Sequence, residues 1–255
     1  DMLHLIDGNN VMLRAMTTAA LPGQRKMTLR MRYEQADAQS IWVWDGFKHN
    51  ERRKALFPKY KANRPPLAQD LFSQIKLFKQ LLLMSRSTQI TVDGWEADDC
   101  IATMAIRAKG PVTVHTNDLD YAQLSSYPHI TLNGVKKMPF DPKWIPLYKA
   151  LHGDSSDNIP GIPGFGPKAW EVLTEGDRQV MLDAITSGRI RDFQPLPLTK
   201  KVGNWLVDPV HILELQNMLA VVHFWTVPDD EIVAGIMPPT YHPGAADALL
   251  RKFFL

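Results

Sequence analysis

Over the first half of the chain, short apolar runs alternate with amphipathic stretches, and several of the apolar runs stop on acidic or polar residues. Residues 3–6 form the first run and predict a buried strand, followed by Asp7-Gly8-Asn9-Asn10, which reads as a turn. Residues 27–38 read as a helix and 41–44 as a second buried strand, this one ending at Asp45-Gly46. Leu71, Phe72, Ile75, Phe78 and Leu82 recur at the spacing of one helix face and predict a helix over 67–83. Strands over 89–92 and 111–115 follow, separated by a helix opening at Trp95 and running to about Lys109; 129–132 predicts an edge strand. Beyond Pro142 the pattern is mainly helical, over 144–151, 169–173, 178–187, 210–222 and 245–253, with a loop over 192–201. Strands alternating with helices and then a helical tail predict an α/β domain with a largely parallel central sheet and flanking helices, over 1–141. A smaller helical domain follows, over 142–255.

The polar positions add chemistry to this frame. In open α/β sheets ligands bind beyond the carboxyl ends of the strands, where Asp7 and Asp45 fall. Glu96, Asp98 and Asp99 crowd one helix start; acids there suit the helix dipole, but so many repel one another unless a cation lies between them. Asp118 and Asp120 lie two apart after a strand, which in an extended segment aims both side chains the same way. Asp154 and Asp157 lie three apart, which a helix places on one face. No His or Cys ligand pattern accompanies them, so the donors are hard oxygens suited to magnesium or manganese. Two such ions ~3.5–4 Å apart are a known device for hydrolysing phosphodiesters.

Two stretches suit nucleic acid. Lys48, His49, Arg52, Arg53, Lys54, Lys59, Lys61 and Arg64 face the single acid Glu51 and are interleaved with Phe57 and Tyr60, giving charge for phosphates and rings for bases. The run from Gly153 to Lys168 ends in a loop rich in glycine and proline, whose backbone N–H groups offer a phosphate grip. At 255 residues, 45% hydrophobic and 22% charged, the composition is that of a globular protein of one large or two modest domains. The net charge of +2 supplies no global basic field, so polyanion binding must come from local patches. Cys100 is the single cysteine, which excludes internal disulfides and cysteine zinc sites and predicts a reducing compartment. No apolar run reaches the ~18–20 residues of a membrane span, and no signal-peptide pattern opens the sequence, so a cytoplasmic protein without membrane contact is expected. Taken alone, these residues leave open a structure-specific DNA-binding protein without catalysis and a ribonuclease with an acid rim.

Six blocks occur in order between residues 3 and 170: Ile6-Asp7-Gly8-Asn9, Trp44-Asp45-Gly46, Tyr60-Lys61-Ala62-Asn63-Arg64-Pro65, Glu96-Ala97-Asp98-Asp99, Asp118-Leu119-Asp120, and the run from Gly153 to Lys168. With these blocks the sequence resembles the flap endonuclease, or 5′ nuclease, family, especially the 5′-nuclease domains of bacterial polymerases and stand-alone phage 5′→3′ exonucleases. The resemblance implies a helical arch over about 47–72 and a helix–three-turn–helix motif in the second domain. It implies a metal-dependent 5′→3′ exonuclease or flap endonuclease holding two Mg2+ ions, with Mn2+ able to substitute. Asp45, Glu96, Asp98 and Asp99, with Asp7 close by, match the acids of the first metal; Asp118, Asp120, Asp154 and Asp157 match those of the second. Lys61 matches an arch lysine that reaches the scissile phosphate, and Arg53 an arch arginine with a similar task. Arg14, Arg52, Tyr60, Arg64 and Lys149 fall at DNA-contacting positions. Gly161, Gly164, Gly166 and Lys168 match the helix–three-turn–helix loop, which in this family holds K+ through carbonyl oxygens. The implied partner is DNA with a 5′ single-strand/duplex junction, with RNA primers an open alternative. A monomer in the cytoplasm of a bacterial or phage-infected cell is expected.

Overall fold

The computed structural model describes residues 1–19 and 21–254. In chain order the elements are β1 (Leu3–Asp7), α1 (Gly8–Thr18), α2 (Pro22–Gln35), β2 (Ser40–Asp45), α3 (Glu51–Leu56), α4 (Gln69–Leu83), β3 (Thr88–Val92), α5 (Ala97–Arg107), β4 (Val112–His115) and β5 (Ile130–Asn133). After these come α6 (Ile145–His152), α7 (Pro167–Val172), α8 (Glu175–Ser187), α9 (Lys200–Trp205), α10 (Pro209–Val222), α11 (Asp229–Ala234), β6 (Ile236–Met237) and α12 (Pro243–Phe253). They form two units, one made of Asp1–His49, Pro66–Met138 and the chain from Trp225 onward, the other of Asn50–Pro65 and Pro139–Phe224.

The first unit is built on a sheet of order β5-β4-β1-β2-β3-β6. All pairings are parallel except β3 with β6, which is antiparallel. From β1 the chain steps outward through β2 to β3, then returns to the other flank of β1 for β4 and β5. The strand order therefore reverses between β1 and β4, where an open sheet leaves its ligand crevice. Strands β1 to β4 are short and have no exposed residue, as in a parallel sheet covered on both faces. On one side Trp42, Trp44 and Phe78 pack with Met12, Met16 and Leu29 of α1 and α2, and with Leu250 of α12.

Two sequence expectations shift here for local reasons. The polar residues after β1 do not turn; Asp7 caps a helix directly, its Oδ1 accepting from the Asn10 N–H at 3.4 Å. Gly8 is required at that junction, since a Cβ there would lie 2.6 Å from the Trp44 ring. Helix α2 begins at Pro22, ahead of the expected residue 27, because proline suits the first helical position and the Gln24 side chain accepts from the Leu21 N–H. The returning segment places β6 beside β3 through the register Gln89↔Met237 and Ile90↔Ile236, so the chain beyond Trp225 belongs with the sheet and not with the helical unit.

The second unit is helical. Its core gathers Leu147 and Leu151 of α6, Trp170 of α7, Met181 and Ile185 of α8, and Leu215 and Met218 of α10. Within the expected loop over 192–201, Thr199 accepts from the Val202 N–H and starts α9. The segment expected as part of a helical arch is a component of this unit: α3 is six residues long, and Phe57 and Tyr60 after it are buried in the same core. Among the described residues no helix is long and apolar enough to cross a membrane.

Candidate active site

The acids of the first unit meet where its topology places them. Asp7 ends β1 and Asp45 ends β2; Glu96, Asp98 and Asp99 open α5 after β3; Asp118 and Asp120 follow β4. Thr116 ties two of these points together: its hydroxyl donates to Asp7 Oδ2 at 3.0 Å and accepts from the Asp118 N–H at 3.2 Å. Asp45 Oδ2 accepts from Asn9 Nδ2 at 2.7 Å, and its Oδ1 accepts from the Ala97 N–H at 2.8 Å. Asp45 thus serves the start of α5, where Glu96 occupies the cap position without a side-chain capping bond. The fully buried Tyr121 donates its hydroxyl to Asp98 Oδ1 at 2.9 Å.

The carboxylates perturb one another. Burial, and next the Asp45 charge, push the Asp7 carboxyl up to about 7, with Asp118 adding to the effect. Burial and then the charges of Asp98, Asp7 and Asp118 hold the Tyr121 hydroxyl well above its ordinary value. Burial and then Asp99, Asp45 and Asp98 push the Cys100 thiol up to about 12, which leaves it inert as a thiolate nucleophile at neutral pH. One negative field therefore covers Asp7, Asp45, Asp98, Asp99 and Asp118. Among the described residues no three His, Cys, Asp or Glu side chains stand as a ready ligand cluster. The donor set still fits a hard divalent cation: its charged groups are carboxylates, and a cation would relieve the repulsion from Asp45 and Asp118 that adds to burial in raising Asp7.

Asp99 is taken up by the fold. It is 0% exposed, and its Oδ1 accepts from the Trp225 N–H at 2.7 Å, at the point where the chain returns to this unit. Asp99 therefore has a structural contact in addition to its place among the acids that open α5. Asn9, Asn10, Thr116 and Tyr121 were not singled out from the sequence as site residues. The available signal was a run of amide and hydroxyl side chains at the strand ends that carry the acids. Arg14 lies on α1, its Nε donating to Asn10 Oδ1 at 3.2 Å, and Asn10 Nδ2 donates in turn to Asn117 Oδ1 at 2.7 Å.

In the second unit α6 leads through a tight series of turns to α7. Asp154 and Ile159 exchange backbone hydrogen bonds of 2.8 and 2.9 Å, and the Ile162 N–H donates to Leu151 O at 2.8 Å. Gly161 has φ +69°, and a Cβ there would lie 2.5 Å from Gly153 N and 2.7 Å from Leu151 O. Gly164 also has positive φ, whereas Gly166 has ordinary backbone geometry and open space beside it. Lys168 is exposed on α7.

Within these turns the acids meet basic partners. Asp154 accepts from Lys149 Nζ at 2.7 Å and from the Ser156 N–H and hydroxyl at 2.9 and 2.7 Å. Burial works to raise its carboxyl, but Lys149 and Ser156 together outweigh that and hold it below the usual range. Asp157 is 9% exposed and accepts from Arg64 at 2.8 Å, while Arg64 Nε donates to Ser156 O and the Lys61 N–H donates to Asp157 O. Lys149 and Arg64, expected at the DNA, are thus ion-paired to the very acids expected at a metal. Arg52 is exposed on α3. Lys61 has φ +52° and lays its ammonium over the Tyr60 ring at 4.9 Å.

Two expectations on this segment are corrected by burial. Arg53 is 4% exposed, and its guanidinium donates to Val221 O and His223 O, each at 2.8 Å, closing the end of α10. It is a helix anchor here and not a group presented to a scissile phosphate. Tyr60 is 2% exposed in the core, so its ring has no free face for a base.

Comparison with known proteins agrees with this arrangement. Residues 2–146 match the family described as 5′-3′ exonuclease, N-terminal resolvase-like domain. DNA polymerase I of Pseudomonas aeruginosa is 35% identical over 228 residues, 76% of this chain and 25% of that protein. The 5′-3′ exonuclease of Aquifex aeolicus is 30% identical over 192 residues, 65% of this chain and 66% of that protein. The chain thus spans about a quarter of the length of the polymerase relatives it matches. A structure of T5 5′-exonuclease with bound divalent metal ions (zinc) shares the fold with TM-score 0.59 at 20% identity, covering 100% of this chain and 97% of that one. A variant of the bacteriophage T5 flap endonuclease, in a pseudo-enzyme-product complex with DNA and metal ions, aligns at TM-score 0.54 and 18% identity, over 100% and 97% of the two chains. By the match over residues 2–146, this chain belongs to the 5′-3′ exonuclease family.

Proposed function

We infer that this chain hydrolyses DNA phosphodiesters near 5′ single-strand/duplex junctions, as a divalent-metal-dependent 5′→3′ exonuclease and flap endonuclease. The observation that carries this reading is the gathering of Asp7, Asp45, Asp98 and Asp118 where parallel strands end, with Asp7 lifted to about 7 first by burial and then by the charges of Asp45 and Asp118. Carboxylates concentrated this way suit Mg2+, with Mn2+ as a substitute. When bound, two such ions would supply an activated water and charge stabilisation for the leaving oxygen. Asp7, Asp45, Asp98 and Asp118, with Glu96 and Asp120 beside them, would hold metal. Thr116 and Asn9 keep Asp7 and Asp45 oriented through the bonds described above. Asp154 and Asp157 are the corresponding acids of the second unit, and metal there would free Lys149 and Arg64 to pair with phosphate instead.

Lys61 would add positive charge to the developing phosphorane. The α6–α7 turns, with Gly161, Gly164, Gly166 and Lys168, would act as a helix–three-turn–helix motif that grips duplex backbone without reading sequence, and K+ would sit among its carbonyls. Arg14 and Arg52 would contact the DNA strands. The acting form would be a cytoplasmic monomer, with the 5′ strand DNA or an RNA primer.

The test is the cleavage pattern on 5′-labelled flap, nicked and blunt duplexes with and without Mg2+. Release of short 5′ products from the flap only with Mg2+ is expected. Intact substrates at saturating Mg2+ would sink the reading.

A further inference from the structure

A second region of the first unit has ligand-site character and is distinct in chemistry from the acid rim. Residues of α1, α2, β1, β2, β4 and β5 line a cleft of about 360 Å³. Its charged lining is mainly cationic: Arg14 and Arg32 face one carboxylate, Asp37, whose Oδ1 already accepts from the Gln39 N–H at 2.9 Å. The Arg32 Nε is buried with no hydrogen-bond partner, and among the described residues Arg32 forms no ion pair. Trp42, another lining residue at 2% exposure, has its Nε1 in the same condition. Burying such donors unpaired costs stability, so each calls for a missing acceptor.

The histidines of the cleft point the same way. The Asn133 amide nitrogen lies 3.0 Å from His115 Nδ1, and His115 Nε2 lies 2.9 Å from His4 Nδ1. With the amide donating, His115 carries its proton on Nε2 and donates to His4 Nδ1, which leaves His4 Nε2–H as a further donor. Burial, then His4 and Arg32, hold His115 below its ordinary value. The cleft thus collects guanidinium, imidazole and indole donors and offers few acceptors.

We propose that this cleft binds a phosphomonoester, through the guanidinium groups of Arg14 and Arg32 with the His4–His115 pair as further donors. Arginine forks match the oxygens of a phosphate and make strong charge-assisted bonds. The volume lies at the small end of ligand pockets, roughly 300–1,000 Å³, enough for one phosphorylated sugar and too small for a duplex. A neighbouring cleft of about 440 Å³, lined by Gln24 and Thr28 among others, shares Val11, Arg14 and Arg32 with the first, giving room for whatever the phosphate carries. The phosphate could belong to a free 5′-mononucleotide or to the terminal residue of a strand. This assignment does not rest on nuclease activity.

The test is calorimetric titration of the full chain in EDTA, with thymidine 5′-monophosphate against thymidine, and with a short oligonucleotide bearing a 5′-phosphate against its 5′-hydroxyl form. Wild type is expected to favour the phosphorylated partner by roughly tenfold or more, as a charged contact requires. Arg32→Met should abolish that preference, and His115→Gln should reduce it. Because Arg32 forms no ion pair among the described residues, Arg32→Met should melt at the same temperature as wild type or higher, unlike the loss of a structural cation. A preference confined to the mononucleotide assigns a free nucleotide; one confined to the oligonucleotide assigns a strand terminus. No preference in wild type for either pair, or a preference unchanged in a folded Arg32→Met protein, would overturn the proposal.

Discussion

Asp7→Asn in the metal-free chain weighs the acid rim most directly. The Asp7 carboxyl is lifted from 3.8 to about 7, first by burial and then by Asp45. A group that binds its proton more tightly when folded favours folding at low pH. That contribution is full below about pH 4, declines as pH rises, and is lost above about pH 7. About three pH units at 1.36 kcal/mol each come to about 4 kcal/mol of stability lost by the wild-type chain across this window. Asparagine cannot ionise and so escapes the loss, but it disturbs the hydrogen bond from Thr116, which costs about 1 kcal/mol. The variant should be about 1 kcal/mol less stable than wild type at pH 4 and about 3 kcal/mol more stable at pH 8. At 2–4 °C per kcal/mol for a chain of this size, its melting temperature at pH 8 should be roughly 6–12 °C higher. Circular-dichroism melts of both proteins in EDTA at pH 4, 6 and 8 measure the difference and cancel the titration common to both. A difference that stays constant with pH, or a variant less stable at pH 8, would refute the reasoning.

Three further outcomes follow from particular contacts. Gly161→Ala puts a Cβ 2.5 Å from a backbone nitrogen at positive φ and should lower stability by about 2 kcal/mol or more, whereas Gly166→Ala, with open space and ordinary backbone, should change it by less than about 0.5 kcal/mol; thermal melts of the pair check this. Arg53→Met leaves the Val221 and His223 carbonyls without their donor and should cost about 2–3 kcal/mol in urea denaturation, an unchanged midpoint arguing against the anchoring role. Lys149→Met removes the cation that helps hold Asp154 below the usual range. The wild-type contribution from Asp154 is present above the unfolded carboxylate value and is lost as pH falls through its lower folded value, so the variant should unfold at higher pH in an acid titration.

The parts of this molecule legible in the sequence are those that depend on local pattern. Apolar runs of four or five residues ending on aspartate marked β1 and β2, and the spacing of Ile75, Phe78 and Leu82 marked α4. The clustering of acids at strand ends was legible because a parallel sheet turns strand order into position. What was missed depends on partners far along the chain. Asp99 looks like its neighbour Asp98 in sequence, and only the fold shows that one accepts from the Trp225 N–H and the other from the Tyr121 hydroxyl. Arg53 and Tyr60 share a basic, aromatic run with exposed residues such as Arg52, and their burial is decided by α10 and the second core. The two-residue β6 carries no periodic signal at all; its pairing with β3 makes it a strand. Helix α1 could have been found, since an aspartate followed by amides at the end of a strand is a helix-cap signal as well as a turn signal.

The central claim is that the rim acids position divalent metal for phosphodiester cleavage, and single-turnover cleavage of a 5′-labelled flap by Asp45→Asn/Asp118→Asn tests it most directly. With saturating Mg2+ the account predicts cleavage by wild type and a loss of at least ~100-fold in the double variant, since metal-borne charge stabilisation is worth several kcal/mol, with flap binding retained in both. Cleavage by wild type in EDTA, or equal rates for the two proteins at saturating Mg2+, would contradict it.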